Sequence, residues 1–564
     1  MKRFLAKIKK VLKAINVQNI KAGLKYIKHN GFKGLFAKSI NYIRFGKTIL
    51  DEYATWIDNN EPKAGELEEQ KQYNSCQNIK FDIVVEEEPK ELMQSIKEQT
   101  YNKYRIIKKN TNYEEILENT DSDYIVFIGK NIELASFALY ELVKTIENKD
   151  AILYYSDNDI KIGKKRKNPV FKPDFAIDTI LSKNYIGNMI AINTKFLKLY
   201  PEILSNLNKE IYYDVILRIS EKTNKIQHIS KILYHELQKE GTIDTKNQKE
   251  IIKQYLIRNE IPYKEIKDGM YEGNYKVEYE ILENPKVSLV VPNKDHIEDL
   301  EKLIKSIEKS TYDNYEMVIV ENNSEKEETF EYYEQIQKNN SKIKVEKYPI
   351  KYFNYSAIVN YGVEKSTGKY VILLNNDIEI LTSDWIEQML MYVQRKDVGI
   401  CGIKLYFPDR TIQHAGVTIG TRGLAGHRSR EIAEEDFKES DYINIVQDLS
   451  AVTAACFMVE KQLYKELLGL DEKLAVAFND VDFCLKVRDK NLLIVYNPFA
   501  YGYHYESKSR GEDTENIEKQ QRFAREYELF VKRWAEVIGR GDPYYNKNYR
   551  LDTDLRMLNY NKIQ

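Results

Sequence analysis

Two carboxylates, Asp377 and Glu379, close the run YVILLNNDIEI at 370–380. In extended backbone, residues two apart point the same way, so both side chains would face one side. Such a pair can hold Mg2+ or Mn2+ through oxygen ligands while the ion also grips a diphosphate. The ion would offset charge on a diphosphate as it leaves. Asp-x-Glu alone is a common pattern, and its company is what singles this one out. Pro292-Asn293-Lys294-Asp295 follows VSLVV (287–291), and Glu321-Asn322-Asn323-Ser324 follows EMVIV (316–320). Downstream, Asp480 and Asp482 open an apparent helix at FNDVDF (478–483). They read either as helix-start acids or as a general base for an attacking hydroxyl. His504 follows the apolar run LLIVY (492–496), and reads as a structural histidine or a third metal ligand.

The elements that must position these groups are short apolar runs alternating with amphipathic stretches. VSLVV, EMVIV and YVILL read as strands, and 297–309 as a helix between the first two. That alternation predicts an α/β domain, a mainly parallel sheet with helices on both faces. Ligands bind such sheets beyond the carboxyl ends of the strands. The polar clusters follow the strands directly.

The same order of segments occurs earlier in the chain. KFDIVV (80–85) matches KVSLVV (286–291), and LMQSIKEQTYNKYRII (92–107) matches LIKSIEKSTYDNYEMV (303–318). YIVFIGKNIEL (124–134) matches YVILLNNDIEI, YDVILRI (213–219) matches VDFCLKV (481–487), and LYHE (233–236) resembles GYHYE (502–506). The expected organisation is a basic helical arm (1–50), a polar linker (51–79), a first α/β copy (80–280), a second copy (281–545) and a tail (546–564). The first copy reads as degenerate. Asp377 corresponds to Asn131, Asp480 to Tyr212 and Glu321 to Asn110, and only Glu133 and His235 remain. The loop Pro292–His296 has no counterpart. Tyr104 to Glu133 spans 29 residues where Tyr315 to Glu379 spans 64, so the equivalent of Asn360 is missing too.

Composition fits a globular protein of several domains: 564 residues, 42% hydrophobic and 31% charged. The formal charge of −1 hides an asymmetry. Residues 1–50 hold 13 of the 86 lysines and arginines and none of the 87 acids, leaving 73 basic against 87 acidic residues elsewhere. Phe4, Leu5, Ile8, Leu12 and Ile15 fall at helical spacing in that arm, which suits either an anionic membrane surface or a solvated appendage. No base-reading module accompanies the arm, so nucleic acid is not the expected partner. Cys76, Cys401, Cys456 and Cys484 lack metal-type spacing and are expected to be free thiols in a reducing compartment. No apolar stretch reaches the ~20 residues that span a bilayer, and no secretory leader is evident. The expected location is the cytoplasm, at most peripheral to the inner face of its membrane.

Residues 281–545 resemble family 2 glycosyltransferases of the GT-A fold, in particular the tandem, rhamnosyltransferase-like type of O-antigen and other surface-polysaccharide biosynthesis. The stretches that carry the resemblance are VSLVVPNKD, YEMVIVENNS, FNYSAIVNYGVEKSTGKYVILLNNDIEI, DRTIQHAGVTIG, GLAGHRSR, LSAVTAACFMV, LAVAFNDVDFCLKV and YHYESKSRG. YSDNDIK (155–161) and NPVFKPDF (168–175) extend it weakly into the first copy. The resemblance implies two tandem GT-A domains and a nucleotide-sugar donor bound by Pro292, Asn293, Asp295, Glu321, Ser324, Asn360, Asn376 and Asp377. It implies a metal held by Asp377, Glu379 and His504, and Asp480 as base of an inverting transfer, Asn479 standing where the family commonly has an acid. His414 and His427 would lie near donor or acceptor. The acceptor would be a glycan or lipid-linked glycan.

Two other readings remain at this point. One is a non-catalytic glycan-binding scaffold, against which stands the loss of acids in the first copy alone. The other is a nucleotidyltransferase, which would want a glycine-rich phosphate loop after its first strand. PNKDH occupies that place, and Gly420-Thr421-Arg422-Gly423 lies far downstream.

Overall fold

The structure is a computed structural model, and it describes residues 49–560 except 74–77, 86, 109–112, 206, 208–210, 238–243, 435–439 and 506–515. The basic arm up to residue 48, Cys76, Asn110 and most of YHYESKSRG lie outside the described residues.

The first copy contains strands β1 (Phe81–Val85), β2 (Tyr104–Lys108), β3 (Tyr124–Ile128), β4 (Ile132–Leu134), β5 (Leu153–Ile162), β6 (Lys165–Val170), β7 (Met189–Asn193) and β8 (Ile226–Leu237). They form one sheet in the order β2-β1-β3-β7-β5-β8-β4, with β6 beside β5. A hairpin, β9 (Tyr263–Asp268) and β10 (Tyr275–Tyr279), leads into the second copy. There follow β11 (Val287–Asn293), β12 (Tyr315–Glu321), β13 (Ile343–Lys347), β14 (Tyr370–Leu374), β15 (Ile378–Ile380), β16 (Val398–Tyr406), β17 (Ile412–His414), β18 (Val417–Ile419), β19 (Ala425–His427), β20 (Gln447–Leu449), β21 (Cys456–Glu460) and β22 (Leu493–His504). The second sheet runs β13-β12-β11-β14-β21-β16-β22-β15, with β17 beside β16 and β20 beside β22.

The two orders superpose strand for strand, β13 being the one addition on the main path of the second sheet. The tandem α/β duplication read from the sequence is therefore what the chain folds into. Each sheet is parallel-rich but mixed. β13, β12, β11 and β14 run parallel, β21 is antiparallel to both neighbours, and β16 and β22 are again parallel. Fully buried strands such as YVILL explain the continuous apolar runs, because both faces are covered. One apolar cluster runs through both copies, and Tyr279 of the hairpin meets the Tyr392 ring edge-on at 5.2 Å between centroids. Arg395 of the second copy binds Asp178 of the first at 2.5 Å, and the Asp178 N–H donates to Asp448.

Two expectations change. Residues 51–79 contain helices Ile49–Asn60 and Ala64–Gln72 where a polar linker was expected. Trp56 is 2% exposed and packs on Phe171, so the first helix is anchored to the first copy. The last segment is also built in. Asn546 and Asn548 donate to the buried Asp157 carboxylate, and Tyr549 and Leu558 pack beside Trp56. Cys401, Cys456 and Cys484 are buried free thiols, as expected.

Candidate active site

Asp377 lies in the turn between β14 and β15, and His504 ends β22. The antiparallel pairing of β15 with β22 puts Ile378 opposite His504. Asp377 Oδ1 thereby comes within 3.2 Å of His504 Nε2, with both side chains buried. Glu379 is not brought to them. The turn at Asp377 breaks the extended run, and Glu379 instead sits opposite Tyr503 and accepts from the Tyr505 hydroxyl at 2.7 Å. Burial and that bond push the Tyr505 hydroxyl up to about 12. Among the described residues no three acids, histidines or cysteines gather as a metal set. Asp377 and His504 still supply an anionic oxygen and an imidazole nitrogen side by side. That pair fits a divalent ion whose other positions are filled by phosphate oxygens and water.

Asp480 and Asp482 part company in the structure. Helix Asn479–Arg488 begins at Phe478, which takes φ 63. Asp480, in its first turn, is partly exposed, and its Oδ2 accepts from the Ala454 N–H at 3.2 Å. Asp482 is fully buried and bonded to Arg533 Nη1 (2.6 Å), Trp534 Nε1 (2.9 Å) and Lys486 Nζ (2.9 Å). A carboxylate so engaged is a strut of the fold and a poor base. The first copy agrees: Asp214 stands at the same helix position, fully buried and paired with Arg218, although Tyr212 stands in place of Asp480. The paired acids at Asp214 and Asp482 were the sequence signal for this distinction.

His414 is wholly buried at the end of β17. Its Nδ1 lies 2.9 Å from His427 Nδ1, and its Nε2 accepts from the Thr453 N–H at 3.4 Å. With Nε2 accepting, His414 carries its proton on Nδ1 and donates it to His427. Burial, with His427 and His504 nearby, holds His414 well below the usual histidine range, so it stays neutral. The two histidines thus form one unit beside residues 453–454, and the Ala454 N–H holds Asp480.

The strand ends of β11 and β12 build a second polar cluster. Asn376 Nδ2 donates to Asn293 Oδ1, and Asn293 Nδ2 donates to Tyr333 and to the Asp295 carbonyl. Glu321 is 2% exposed; its Oε1 accepts from the Ser324 N–H, and its Oε2 has no hydrogen-bond partner among the described residues. A buried carboxylate oxygen left so is costly, and a ligand donor would satisfy it. Ser324 Oγ accepts from the Asp295 N–H, while Pro292 lies between Val291 and Asn293 at the rim. Asp295 turns the other way: its carboxylate accepts from Glu325 N, Lys326 N and Thr329 Oγ1, bracing the start of helix Glu327–Asn339. Those bonds hold its carboxyl below the usual range despite some burial. Asn360 also serves the fold. Its amide clamps Leu470 through both backbone atoms and accepts from the Tyr464 hydroxyl.

The first copy shows what replaces the site. Leu237 N donates to Asn131 O as Tyr505 N donates to Asp377 O, which fixes the correspondence of Asn131 with Asp377. The β4–β8 register then puts Glu236, not His235, in the place of His504. A one-residue register difference carries a side chain to the other face. His235 pairs instead with Asp159, which Arg166 and Tyr53 also bind. Near Glu236 the Lys172 ammonium is buried, donating to Ser156 O, Ile186 O and Tyr234 Oη. Burial lowers Lys172 to about 8, partly offset by Asp157 and Glu236.

The family pattern described as Glycosyl transferase family 2 matches residues 288–468. The uncharacterized protein y4gI of Sinorhizobium fredii is 34% identical over 445 residues, 76% of this chain and 48% of that protein. The O-antigen biosynthesis protein RfbC of Myxococcus xanthus is 29% identical over 446 residues, 76% of this chain and 34% of that protein. The chain thus spans about half or less of the length of these relatives. Among solved structures, GalNAc-T7 with UDP, GalNAc and Mn2+ is similar at a TM-score of 0.38 and 15% identity, over 49% of this chain and 53% of that one. That likeness is too distant to carry any residue across. The matched segment contains β11 to β21, hence Asp377, Glu321 and the His414–His427 pair. Residues 288–468 therefore carry the sequence pattern of glycosyl transferase family 2.

Proposed function

We propose that the second copy transfers a sugar from a nucleotide-diphosphate donor to a hydroxyl of a glycan or lipid-linked glycan, with inversion. The relative named for O-antigen biosynthesis supports a surface polysaccharide as the product's destination. The observation that carries the reading is the paired fate of the acids. Asp377 and Asp480 are present together in one copy and replaced together, by Asn131 and Tyr212, in the other. The sheet persists in both, so the acids are not needed to build it.

In this reading Asp480 accepts the proton of the acceptor hydroxyl, oriented by the Ala454 N–H. The hydroxyl oxygen attacks the anomeric carbon, and the bond to the diphosphate oxygen breaks. Asp377 and His504 would hold Mg2+ or Mn2+, the imidazole leaning the pair toward Mn2+. When bound, such an ion neutralises the departing diphosphate. Glu321, Asn293 and Asn376 bind the nucleotide end, with Ser324 and Pro292 at the rim. The neutral His414 aims His427 at the substrate. The first copy is a non-catalytic partner domain. Arm residues 1–50 dock the enzyme on the anionic inner face of the cytoplasmic membrane, close to a lipid-linked acceptor. No helix among the described residues is long and apolar enough to cross a membrane.

The deciding experiment is a panel of sugar nucleotides with Mg2+ or Mn2+, scored for nucleoside diphosphate release by wild type and Asp480→Asn. One donor should be turned over by wild type and lost in the variant. Release of pyrophosphate would instead identify a nucleotidyltransferase. Absence of any sugar-nucleotide binding would leave a glycan-binding scaffold.

A further inference from the structure

Asp480 is bracketed by one element to which the reaction above gives no task, the helix Ile517–Arg540. After the base in sequence, Asp482 is held by Arg533 and Trp534 of that helix. Before it, the Ala477 N–H donates to Glu526 Oε2 at 2.6 Å. Ala477 precedes Phe478, the residue whose φ of 63 turns the chain into helix Asn479–Arg488. Left-handed backbone is disfavoured for a bulky side chain and persists only where its surroundings impose it. Rings from the same long helix do so here. Phe530 stacks on Phe478 at 5.2 Å between centroids, and Phe523 lies against it at 5.5 Å. Glu526 is itself 2% exposed, with Arg522 Nε 3.5 Å from its Oε1. A carboxylate is costly to bury, and packing alone would favour an apolar side chain there.

The first copy shows what packing alone selects. In helix Thr245–Arg258, Arg258 reaches Asp214 at 3.9 Å as Arg533 reaches Asp482, which aligns the two helices. A buried ring precedes each arginine in register, Tyr255 in one and Phe530 in the other. Two turns before each arginine stands a buried side chain, Ile251 in the first copy and Glu526 in the second. The arginine on the buried aspartate is thus common to both copies. The carboxylate occurs only in the copy that has Asp480, whose place Tyr212 takes in the other. An isoleucine suffices to seat such a helix.

We propose that Glu526 is a positioning residue for the base. By holding the Ala477 N–H it fixes the turn at Phe478, and with it the direction in which Asp480 leaves the first turn of its helix. The proposal rests on the assignment of Asp480 made above. Glu526 does not touch the reacting atoms and acts through the backbone of residues 477–480. The Ala454 N–H holds the carboxylate of Asp480 itself, so the base is fixed at its side chain and at its backbone.

The test is release of nucleoside diphosphate from UDP-, GDP- and dTDP-linked hexoses with Mn2+ by the full chain. The parameters kcat and KM are taken separately, with thermal unfolding of each variant alongside. Glu526→Ile installs the residue that the first copy carries. Its kcat should fall about 10- to 100-fold, the scale for a small misplacement of a reacting group. Its KM for the donor should stay within about twofold, because the donor groups lie elsewhere. Melting should not fall by more than about 2 °C, since an apolar side chain replaces a buried charge. Glu526→Gln keeps an oxygen for the Ala477 N–H and should restore kcat to within about threefold of wild type. Glu526→Ile added to Asp480→Asn should cost nothing further, as for residues that act as a unit. Wild-type kcat in Glu526→Ile, with Asp480→Asn inactive, overturns the positioning role and spares the base. So does a loss in Glu526→Gln equal to that in Glu526→Ile, a loss that multiplies with that of Asp480→Asn, or a loss that follows melting temperature. Full activity of Asp480→Asn removes the base itself, and release from no donor by wild type removes the transfer it serves; either takes the positioning role with it.

Discussion

Replacing Asp482 by alanine would leave Arg533, Lys486 and Trp534 facing an empty place. Removing one partner of a buried ion pair typically costs 3–5 kcal/mol. Here the Arg533 and Lys486 side chains are 30% and 23% exposed, and Arg533 keeps Asp471 as a partner. Water and Asp471 relieve part of the loss, while Trp534 Nε1, on a side chain 7% exposed, loses its acceptor. The low end applies, about 3 kcal/mol. For a domain of this size that is a fall of roughly 6–12 °C in melting temperature. Asp480→Asn is the counterpart two residues away. Its amide oxygen can still accept from Ala454, so melting should change by no more than about 2 °C. Turnover should fall by about 10²–10⁴, the range for losing a general base. The assay is thermal unfolding of each variant, with donor hydrolysis at a temperature where both remain folded. A stable, inactive Asp482→Ala, or an active Asp480→Asn, would refute the division of roles.

Three further outcomes are expected. Lys172 gives a pH dependence whose sign can be worked out. The folded chain releases this proton near pH 8 and the unfolded chain near 10.5, so the unfolded state binds more protons between those values. Stability should therefore rise with pH across that window, by up to roughly 3 kcal/mol, and Lys172→Met should remove the slope in urea unfolding from pH 7 to 10. Trp56→Ala should cost about 3–5 kcal/mol in the first copy and expose residues 60–64 to limited proteolysis; unchanged protection would show the helix is held elsewhere. Glu379→Gln should leave Mn2+ affinity within about twofold, whereas Asp377→Asn should lower it at least tenfold, because only Asp377 lies against His504.

The duplication was legible because strands buried on both faces leave apolar runs that survive divergence. YIVFI and YVILL align by eye, and the matching sheet orders follow from them. The strand-end clusters were legible for the same reason. What the sequence hid were contacts made across long separations. Asp482 meets Arg533, 51 residues on, along a helix that carries no motif. Asn360 meets Leu470 at a separation of 110. The extended reading of Asp377–Glu379 failed at a turn that leaves no strong mark in Asn-Asn-Asp. His235 was matched to His504 by residue type, whereas pairing register puts Glu236 in that place. The helix at 49–60 did leave a signal: Tyr53, Trp56 and Ile57 recur at helical spacing within a stretch that is otherwise polar.

Asp157 sits at the centre of the first copy, yet two of its hydrogen-bond donors, Asn546 and Asn548, follow it by 389 and 391 residues. At ~5–20 residues per second, a ribosome that has just made Asp157 needs about 20–80 s to deliver them. During that interval the nascent first copy has His228 and the Lys172 N–H for this carboxylate, and its hydrophobic surface around Trp56 and Phe171 lacks Tyr549 and Leu558. Of the two copies, the one synthesised first is thus finished only after the second. A ribosome that stalls within the second copy would release a chain whose first copy is unsealed, a ready substrate for proteases.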